Sequence, residues 1–436
     1  MTRIITQEEK DAQRVFADAV REYYAALGIA QPLALVRTFG CQQNVSDSEH
    51  IKGMLALMGF GFTETPEDAD FILFNTCAVR EHASDRVFGN VGRLKSLKRE
   101  HKNLLIAVCG CMAQQPHIAE KLRESYPFVG LVFGTHVIHR FPELMLKALR
   151  SREPVTEIPV EDGVVAEGLP VCRDSHFKAW LPIMNGCNNF CTYCIVPYVR
   201  GRERSRAPED ILAEARALVA AGYKEITLLG QNVNSYGKAE GYGMRFSDLL
   251  RAINDIPGDF ILRFMTSHPR DASRELFDTI AACDKVSRHF HLPVQAGNDR
   301  VLKVMNRHYT REQYLSLIRY ARSVVPDISF TSDIIVGFPG ETRAEFEDTL
   351  SLVKEVGFTS LFTFIYSPRV GTPAAQMPDP VDADTKVAWL RELTAIQEEI
   401  SGRISARLVG TEQRALLEAR RDGYTEARMS DNRVVR

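Results

Sequence analysis

The sequence predicts a mixed α/β protein built from two successive series of parallel strands and helices. Short apolar runs alternate with amphipathic stretches over residues 33–150, and the same alternation returns over residues 180–370. At 436 residues the chain is also longer than one ordinary hydrophobic core requires. We therefore expect a doubly wound parallel sheet, then a partial (β/α)6 barrel of the TIM type, and a small β module at the end of the chain.

The first series follows a helical extension. Residues 1–32 carry apolar side chains at helical spacing and include Gly28 near their end, which predicts one amphipathic helix. Residues 33–150 are predicted to form the first domain, with strands at 33–39, 71–75, 104–108 and 129–133 and helices at 47–57, up to 98, at 116–124 and up to 150.

The second series follows a linker. Residues 151–178 lack periodicity and are interrupted by prolines and glycines, so they are predicted to cross between domains. Residues 179–398 are predicted to form the barrel, and residues 399–436 the small β module. The predicted barrel strands lie at 180–184, 225–229, 261–265, 289–293, 329–336 and 361–365.

Composition narrows the class of protein. Apolar residues make up 45% and charged residues 25% of the chain, which is typical of globular proteins. No apolar run is long enough to span a bilayer, and the polar N-terminus lacks a signal-peptide core. We therefore expect a cytoplasmic protein with no membrane contact, in which the nine cysteines are metal ligands or structural thiols and not disulfides.

Three cysteines lie on one short loop after the first barrel strand. Cys187, Cys191 and Cys194 have the spacing C-x3-C-x2-C, so their thiols can face one metal centre. A structural zinc ion takes four protein ligands, whereas three thiolates on a cubane iron–sulfur cluster leave one iron open to a small ligand. The alternatives are three unrelated cysteines or a zinc knuckle that lacks one ligand. The spacing favours a reactive 4Fe-4S cluster.

Three more cysteines follow strands of the first domain. Cys41, Cys77 and Cys111 each come two or three residues after the end of a predicted strand, Cys41 and Cys111 through a glycine. Ligands of open α/β sheets bind beyond the carboxyl ends of the strands, so the three thiols are expected to converge on a second cluster. Each one alone would be interpreted as a buried core thiol. Cys109 lies two residues before Cys111 and is interpreted as part of the strand.

The predicted clusters indicate radical chemistry. A cluster with one open iron can bind S-adenosylmethionine and pass an electron to its sulfonium, which releases a 5′-deoxyadenosyl radical that abstracts hydrogen from a C–H bond. A second cluster that holds a sulfur atom then implies conversion of C–H to C–S. Cofactor contacts are expected at polar strand ends: Gln231 and Asn232 for the methionine moiety, Ser267 and Gln295 near the ribose, Tyr366 near the adenine, and Arg307 as a further polar contact.

Local basic groups predict a polyanionic substrate, although the net charge of the chain is −2. Four arginines are predicted to bind RNA beside the cysteine loop: Arg200, Arg202, Arg204 and Arg206. A second basic group follows Cys77 and includes Arg80; it is equally compatible with a solvated helix face. Residues 401–436 hold eight arginines against five acidic residues, which fits either a solvated tail or a β module that holds nucleic acid.

The motifs around these cysteines resemble those of the radical S-adenosylmethionine methylthiotransferases from about residue 33 onward. The resemblance rests on the stretches 38–44, 75–80, 110–114, 186–198, 200–206, 266–269 and 333–342. It implies a methylthiotransferase N-terminal domain, a radical barrel and a TRAM domain, the last looking about half its usual length. It also implies that Cys41, Cys77 and Cys111 ligate an auxiliary 4Fe-4S cluster, and that Cys187, Cys191 and Cys194 ligate the radical cluster.

The resemblance further implies the reaction. One S-adenosylmethionine methylates a sulfur held at the auxiliary cluster, and another supplies the radical that takes hydrogen from C2 of an isopentenylated adenosine at tRNA position 37. Sister subfamilies act on threonylcarbamoyl-adenosine of tRNA or on an aspartate of a ribosomal protein. The expected partners are tRNA, S-adenosylmethionine, an external electron donor and a sulfur source, and the expected state is a monomer. A non-catalytic RNA-binding protein is disfavoured, because structural clusters are closed by four protein ligands.

Overall fold

The protein is described by a computed structural model that covers residues 3–78, 81–160 and 163–436. Its contacts divide the chain into two compact units. The N-terminal unit comprises Met1–His176, Asn185–Asn188 and Ile195–Arg206, and the barrel unit comprises Phe177–Met184, Asn189–Cys194 and Ala207–Arg436.

The N-terminal unit contains the predicted doubly wound sheet. Six parallel strands lie in the order β2-β1-β3-β4-β5-β6. The strands are β1 Leu33–Phe39, β2 Gly61–Phe62, β3 Phe71–Thr76, β4 Leu105–Gly110, β5 Leu131–Phe133 and β6 Val155–Glu157. The helices are α1 Gln7–Ala26, α2 Gln42–Leu57, α3 Glu81–Glu100, α4 Pro116–Ser125, α5 Phe141–Arg150 and α6 Val196–Arg200.

Alternation along the buried strands explains why helices cover both faces of this sheet. Phe71 and Leu73 of β3 pack with α1, α2 and α5, whereas Ile72 and Phe74 pack with α3 and α4. All four side chains are 0–2% exposed. Burial of one such side chain contributes about 1.5–3 kcal/mol, so continuous apolar strands of this kind are stable only with helices on both sides.

Several elements of this unit differ from the sequence prediction, and the short elements β2 and α6 were not predicted. The strand β6 lies inside the predicted linker and was missed, because three residues are too few to show a period. Helix α2 begins at Gln42 and not at residue 47. Its first turns are polar and nevertheless buried, with Gln43, Asn44 and Ser46 each at most 6% exposed, so the hydrophobic pattern did not reveal them.

The barrel unit contains the predicted partial barrel of six parallel strands. Two three-stranded sheets, β11-β10-β7 and β12-β13-β14, are joined by a parallel bridge between Leu262 and Val286. The six barrel strands are β7 Lys178–Pro182, β10 Glu225–Leu229, β11 Ile261–Phe264, β12 His289–His291, β13 Ser329–Val336 and β14 Ser360–Ile365; the short strands β8 Met184–Asn185 and β9 Arg204–Ser205 lie outside these two sheets.

Helices alternate with the barrel strands, and five of them (α9 to α13) begin at a side-chain cap. They are α7 Pro208–Ala220, α8 Phe246–Asn254, α9 Arg274–Ala282, α10 Asp299–Val304, α11 Arg311–Val324, α12 Arg343–Val356 and α13 Ala383–Ala406. Thr310 and Thr342 form capping boxes with Gln313 and Glu345, which satisfy the first free N–H groups of α11 and α12. These caps fix where the strand-end loops stop and thus shape the barrel mouth.

The C-terminal residues form a small antiparallel sheet of three strands, β15 Ala415–Arg421, β16 Tyr424–Met429 and β17 Val434–Val435. It joins the barrel through Arg263, which donates to Glu225 (2.7 Å) and to the carbonyls of Met429 (2.9 Å) and Ser430 (3.1 Å). Glu225 opens β10, so the small sheet lies at the end of the barrel opposite the mouth. The predicted boundary at residue 399 falls inside α13, which continues to Ala406.

Among the described residues, no helix combines the length and apolar character that a membrane span requires.

Candidate active site

The three strand-end cysteines of the N-terminal unit lie at one edge of the sheet. Phe39 of β1 pairs with Thr76 of β3, and Thr76 pairs with Gly110 of β4, so the three strands end level with one another. Cys41, Cys77 and Cys111 follow these residues directly or after one glycine. The predicted convergence at this edge is therefore what the strand register produces.

Two glycines allow the backbone to approach closely here. Gly110 has φ +94°, and a Cβ atom at this position would overlap the side chain of Asn75 and the backbone of Thr76. A Cβ on Gly40 would lie 2.9 Å from the Cβ of Cys77. Both positions therefore exclude larger residues.

Asn44 of α2 organises the thiols. Its Oδ1 lies 3.4 Å from Cys41 Sγ and 4.0 Å from Cys111 Sγ, so both thiols converge on one oxygen. Its Nδ2 donates to Asn75 Oδ1 (3.0 Å) and to the Thr76 carbonyl (3.2 Å). Asn44 and Asn75 are both 0% exposed, so this amide pair forms a rigid buried support for the cysteines.

A buried guanidinium completes this cluster of side chains. Arg200 of α6 donates from Nε to Cys111 Sγ (3.2 Å) and from Nη2 to Asp47 Oδ2 (2.6 Å). A hydrogen bond with Cys77, and next the charge of Arg200, lower the pKa of the Cys41 thiol to about 6 despite opposing desolvation. Burial raises the pKa of Cys111 to about 11, and Arg200 opposes that effect. The site thus contains one readily ionised thiol and a cation suited to stabilising thiolates.

The strand-end trio offers three thiolate donors, which is the donor set that a cubane cluster with one open iron takes. Within the described ranges, no three Cys, His, Asp or Glu side chains are arranged to hold one metal ion. Ligands of a single zinc ion lie about 2.0–2.3 Å from it, whereas cysteines on a cubane bind different irons and stand farther apart. Cys109 belongs to β4 and is 0% exposed in the apolar core, as predicted.

The second cysteine loop is shaped by backbone constraints. Gly186 has φ +80°, and a Cβ there would overlap the carbonyl of Arg202. The Cys187 N–H donates to the Gly201 carbonyl (3.1 Å), and the Cys194 N–H donates to the Cys191 carbonyl (2.9 Å). The structure therefore brings Cys191 and Cys194 together, and the position of Cys187 near them rests on the sequence spacing.

The segment after α10 holds this loop within the barrel unit. Asn306 Nδ2 donates to the carbonyls of Asn189 (3.1 Å) and Phe190 (3.0 Å). Arg307, 4% exposed, donates from Nη1 to Cys191 Sγ at 3.4 Å. Arg307 was predicted to contact the cofactor, and its observed contact is with the sulfur of a predicted cluster ligand.

Several predicted cofactor residues carry buried polar atoms that lack a partner. Among the described side chains, no group bonds to Asn232 Oδ1, Ser267 Oγ or the hydroxyl of Tyr366. All three residues follow barrel strands at the mouth and are at most 8% exposed. Gln295 is also buried and has φ +74°, and Gln231 is partly exposed. Buried polar atoms are rarely left unpaired, so this mouth fits a polar cofactor such as S-adenosylmethionine.

His268 is a further residue of the mouth that we had not assigned a role. Its backbone N–H and C=O both bond to the Asn234 amide at 3.0 Å. Its Nδ1 accepts from the Arg270 N–H (3.2 Å), so the neutral ring carries its proton on Nε2, which is buried without a partner in the described structure. Burial lowers the pKa of His268, and the charge of Arg307 lowers it further. His268 therefore provides a buried N–H donor with a fixed tautomer on the loop after β11.

Glu341, in the loop between β13 and α12, is another buried polar residue that the sequence analysis did not single out. One of its carboxylate oxygens accepts from the N–H groups of Gly337 (2.7 Å) and Phe338 (3.2 Å), while Oε1 has no partner among the described residues. Burial raises the pKa of Glu341 to about 7. The stretch 333–342 was among the motifs that carried the resemblance, and its acidic residue after Gly-Phe-Pro-Gly was the available signal.

The predicted RNA contacts need correction. Arg200 and Arg204 are only 5% and 7% exposed, and Arg204 donates to the carbonyls of Arg200 and Arg202, so these two side chains serve internal contacts and not RNA. Arg206 forms an ion pair with Glu167 at 2.6 Å. Arg202 is exposed, and its RNA contact stays a prediction. Arg80, from the second basic group, lies outside the described residues.

Comparison with known proteins gives a consistent assignment. The profile of the Radical SAM superfamily matches residues 181–353, and a profile described as Uncharacterized protein family UPF0004 matches residues 34–134. The structure of the radical S-adenosylmethionine methyltransferase TsrM from Kitasatospora setae is similar, with a TM-score of 0.56 at 15% identity over 79% of this chain and 77% of that chain. At this identity the likeness concerns the fold alone.

Curated relatives are far more similar in sequence. The tRNA-2-methylthio-N(6)-dimethylallyladenosine synthase of Thermoanaerobacter pseudethanolicus is 53% identical over 92% of this chain and 86% of its own length. The synthase of the same name from Acetivibrio thermocellus is 46% identical over 99% of this chain and 91% of its own length. The chain therefore belongs to the family of tRNA-2-methylthio-N(6)-dimethylallyladenosine synthases within the radical SAM superfamily.

Proposed function

We propose that this protein methylthiolates C2 of N6-dimethylallyladenosine at position 37 of tRNA. The single observation that supports this most directly is the pair of three-thiol sites, one at the strand ends of the N-terminal sheet and one on the loop after β7. Each offers three cysteines where a closed structural site would offer four. The sequence identity to synthases of that name supports the choice of nucleoside.

The six cysteines act as cluster ligands. Cys41, Cys77 and Cys111 hold the auxiliary 4Fe-4S cluster, and Cys187, Cys191 and Cys194 hold the radical cluster. When bound, the clusters and S-adenosylmethionine supply the electron, the hydrogen-abstracting radical, the methyl group and the site that carries sulfur. An external electron donor supplies the electrons of the conversion, and a sulfur source supplies the sulfur atom. The enzyme works as a monomer.

The residues of the barrel mouth position the cofactor. Gln231 and Asn232 bind its methionine moiety, Ser267 and Gln295 lie near its ribose, and Tyr366 lies near its adenine. His268 donates from Nε2 to an acceptor on the same ligand. The support for these roles is the set of buried, unpartnered atoms at the mouth, together with the fixed tautomer of His268.

A substrate comparison tests this function. The enzyme is reconstituted anaerobically, reduced, and incubated with S-adenosylmethionine and tRNA that carries either dimethylallyl-adenosine or threonylcarbamoyl-adenosine. We expect the methylthio nucleoside only from the first tRNA, together with release of 5′-deoxyadenosine. A methylthio product only from the second tRNA, or only on a ribosomal protein, would show that the substrate is misassigned.

A further inference from the structure

Each proposed cluster site contains one buried arginine that donates to one cysteine sulfur. Arg307 Nη1 lies 3.4 Å from Cys191 Sγ in the barrel unit. Arg200 Nε lies 3.2 Å from Cys111 Sγ in the N-terminal unit. The two arginines are 4% and 5% exposed, so solvent screens neither charge effectively.

The two sites differ in how the arginine charge is balanced. Arg200 forms an ion pair with Asp47 at 2.6 Å, and Asp47 is itself buried. The other hydrogen bonds of Arg307 go to neutral oxygens: Nε donates to the hydroxyl of Tyr309 (3.0 Å), and Nη2 donates to the carbonyl of Pro293 (2.5 Å). In the part of the chain that the structure describes, no carboxylate pairs with Arg307. A buried guanidinium without a counter-ion is costly, so an anion is expected beside it.

Among the described side chains that bond to Arg307, the one that becomes an anion through the proposed function is Cys191. As a cluster ligand it is a thiolate, and the contact then becomes a charge-assisted N–H···S hydrogen bond. Reduction of a cluster adds one negative charge, which a nearby cation and N–H donors stabilise. The reduction potential of a cluster therefore rises with hydrogen bonds to its sulfurs and with uncompensated positive charge nearby.

We propose that Arg307 is the charge partner of the radical cluster and raises its reduction potential, whereas Asp47 cancels the charge of Arg200 at the auxiliary cluster. This inference rests on the proposed function, because it needs a cluster on each cysteine trio. It assigns Arg307 a positioning and tuning role through Cys191 that goes beyond a contact with S-adenosylmethionine. It also assigns Asp47, which ligates nothing, a role in separating the two potentials.

The test isolates one cluster at a time. In full-length protein with C41A, C77A and C111A, only the radical cluster can assemble, and its midpoint potential is measured by titration followed by electron paramagnetic resonance. We expect R307M to shift this midpoint to more negative values and R307K to shift it less, because lysine retains the charge but not the fork of donors. An unchanged midpoint in R307M with a fully assembled cluster would overturn the proposal.

A scaffold control separates tuning from packing. Y309F removes the hydroxyl that binds Arg307 Nε and the Val294 carbonyl (2.7 Å) but leaves the guanidinium and Cys191 in place. We expect its midpoint to stay close to that of the parent. A shift in Y309F as large as the shift in R307M would mean that general loosening, and not charge, sets the potential, and would equally refute the proposal.

The auxiliary site gives a prediction of opposite sign. In protein with C187A, C191A and C194A, only the auxiliary cluster can assemble. D47N keeps the shape of the side chain but removes the negative charge that balances Arg200. The midpoint potential of the auxiliary cluster is therefore expected to move to more positive values. A negative shift, or none, would contradict the charge-balance argument at this site.

The outcomes also distinguish this inference from the function on which it rests. If either triple-cysteine protein binds far fewer than about four irons, the ligand assignment fails and with it the proposed function. If both proteins bind about four irons and the arginine and aspartate variants leave the potentials unchanged, only the charge-partner inference fails.

Discussion

Replacing Asn44 by alanine should destabilise the N-terminal unit and disrupt the auxiliary cysteine site together. The amide of Asn44 is 0% exposed and is the side-chain support shared by Cys41 and Cys111. Without this amide, the buried Asn75 Oδ1 loses its donor, and the Thr76 carbonyl loses one of its two hydrogen bonds. We therefore expect loss of protein stability and of bound iron from one substitution.

The size of the effect follows from these contacts. An orphaned buried acceptor costs about 1–3 kcal/mol, and a second lost hydrogen bond costs about 0.5–1.5 kcal/mol. The Thr76 carbonyl keeps the Met112 N–H at 3.2 Å, so it is not left unpaired. The free energy of unfolding of the iron-free protein should fall by about 2–4 kcal/mol.

The assay is urea unfolding of the iron-free protein, paired with iron content after reconstitution. Asn103→Ala provides the matched control, because Asn103 is exposed in a turn and its truncation should stay within about 0.5 kcal/mol. N44D tests the mechanism, since it keeps the shape but turns an acceptor toward Asn75 Oδ1. If N44A and N103A lower the free energy of unfolding equally, or if N44D leaves it unchanged, Asn44 does not support this site in the way described.

Three further predictions concern the loop, the mouth and the RNA contact. G186A should abolish iron binding at Cys187, Cys191 and Cys194, because the added Cβ would overlap the Arg202 carbonyl. G222A should bind iron normally, because Gly222 has a similar φ but no atom within 4 Å of the added Cβ. Equal iron contents in the two variants would contradict the steric argument. H268A should weaken the binding of S-adenosylmethionine to reconstituted enzyme about tenfold in equilibrium dialysis, because one hydrogen bond is lost. H308N, at the exposed His308, is the control. An unchanged affinity in H268A would show that His268 does not contact the cofactor. R202A should weaken tRNA binding and lower its salt dependence by about one ion, and R204A, which alters a buried side chain, should leave the salt slope unchanged; the reverse order would reinstate the original RNA prediction.

The fold could be predicted where hydrophobic period and burial agree. The bounds of β1, β10 and β13 match the predicted ranges, because each is a run of largely apolar residues with clear ends. The resemblance to the radical S-adenosylmethionine methylthiotransferases and the α/β fold class are likewise confirmed. These features depend on local pattern and on long motifs, which a single sequence displays.

The site could be predicted only in part, because its supports are polar residues that the fold buries. Asn44 lies in the first turn of α2, before the predicted start of this helix at residue 47, and Asp47 lies one turn later; the hydrophobic pattern revealed the burial of neither. Arg200 was assigned to RNA from its arginine-rich surroundings, and the fold instead directs it to Cys111. His268 shows its role only through the bonds that fix its tautomer. Burial of a polar group depends on tertiary contacts, and sequence spacing does not report them.

Iron and sulfide content of three proteins tests the central claim of two clusters on two cysteine trios most directly. After anaerobic reconstitution, the parent protein should bind about eight irons, and the two triple-alanine variants, at Cys41, Cys77 and Cys111 or at Cys187, Cys191 and Cys194, should each bind about four. About four irons in the parent protein, or about eight in either variant, would contradict the account.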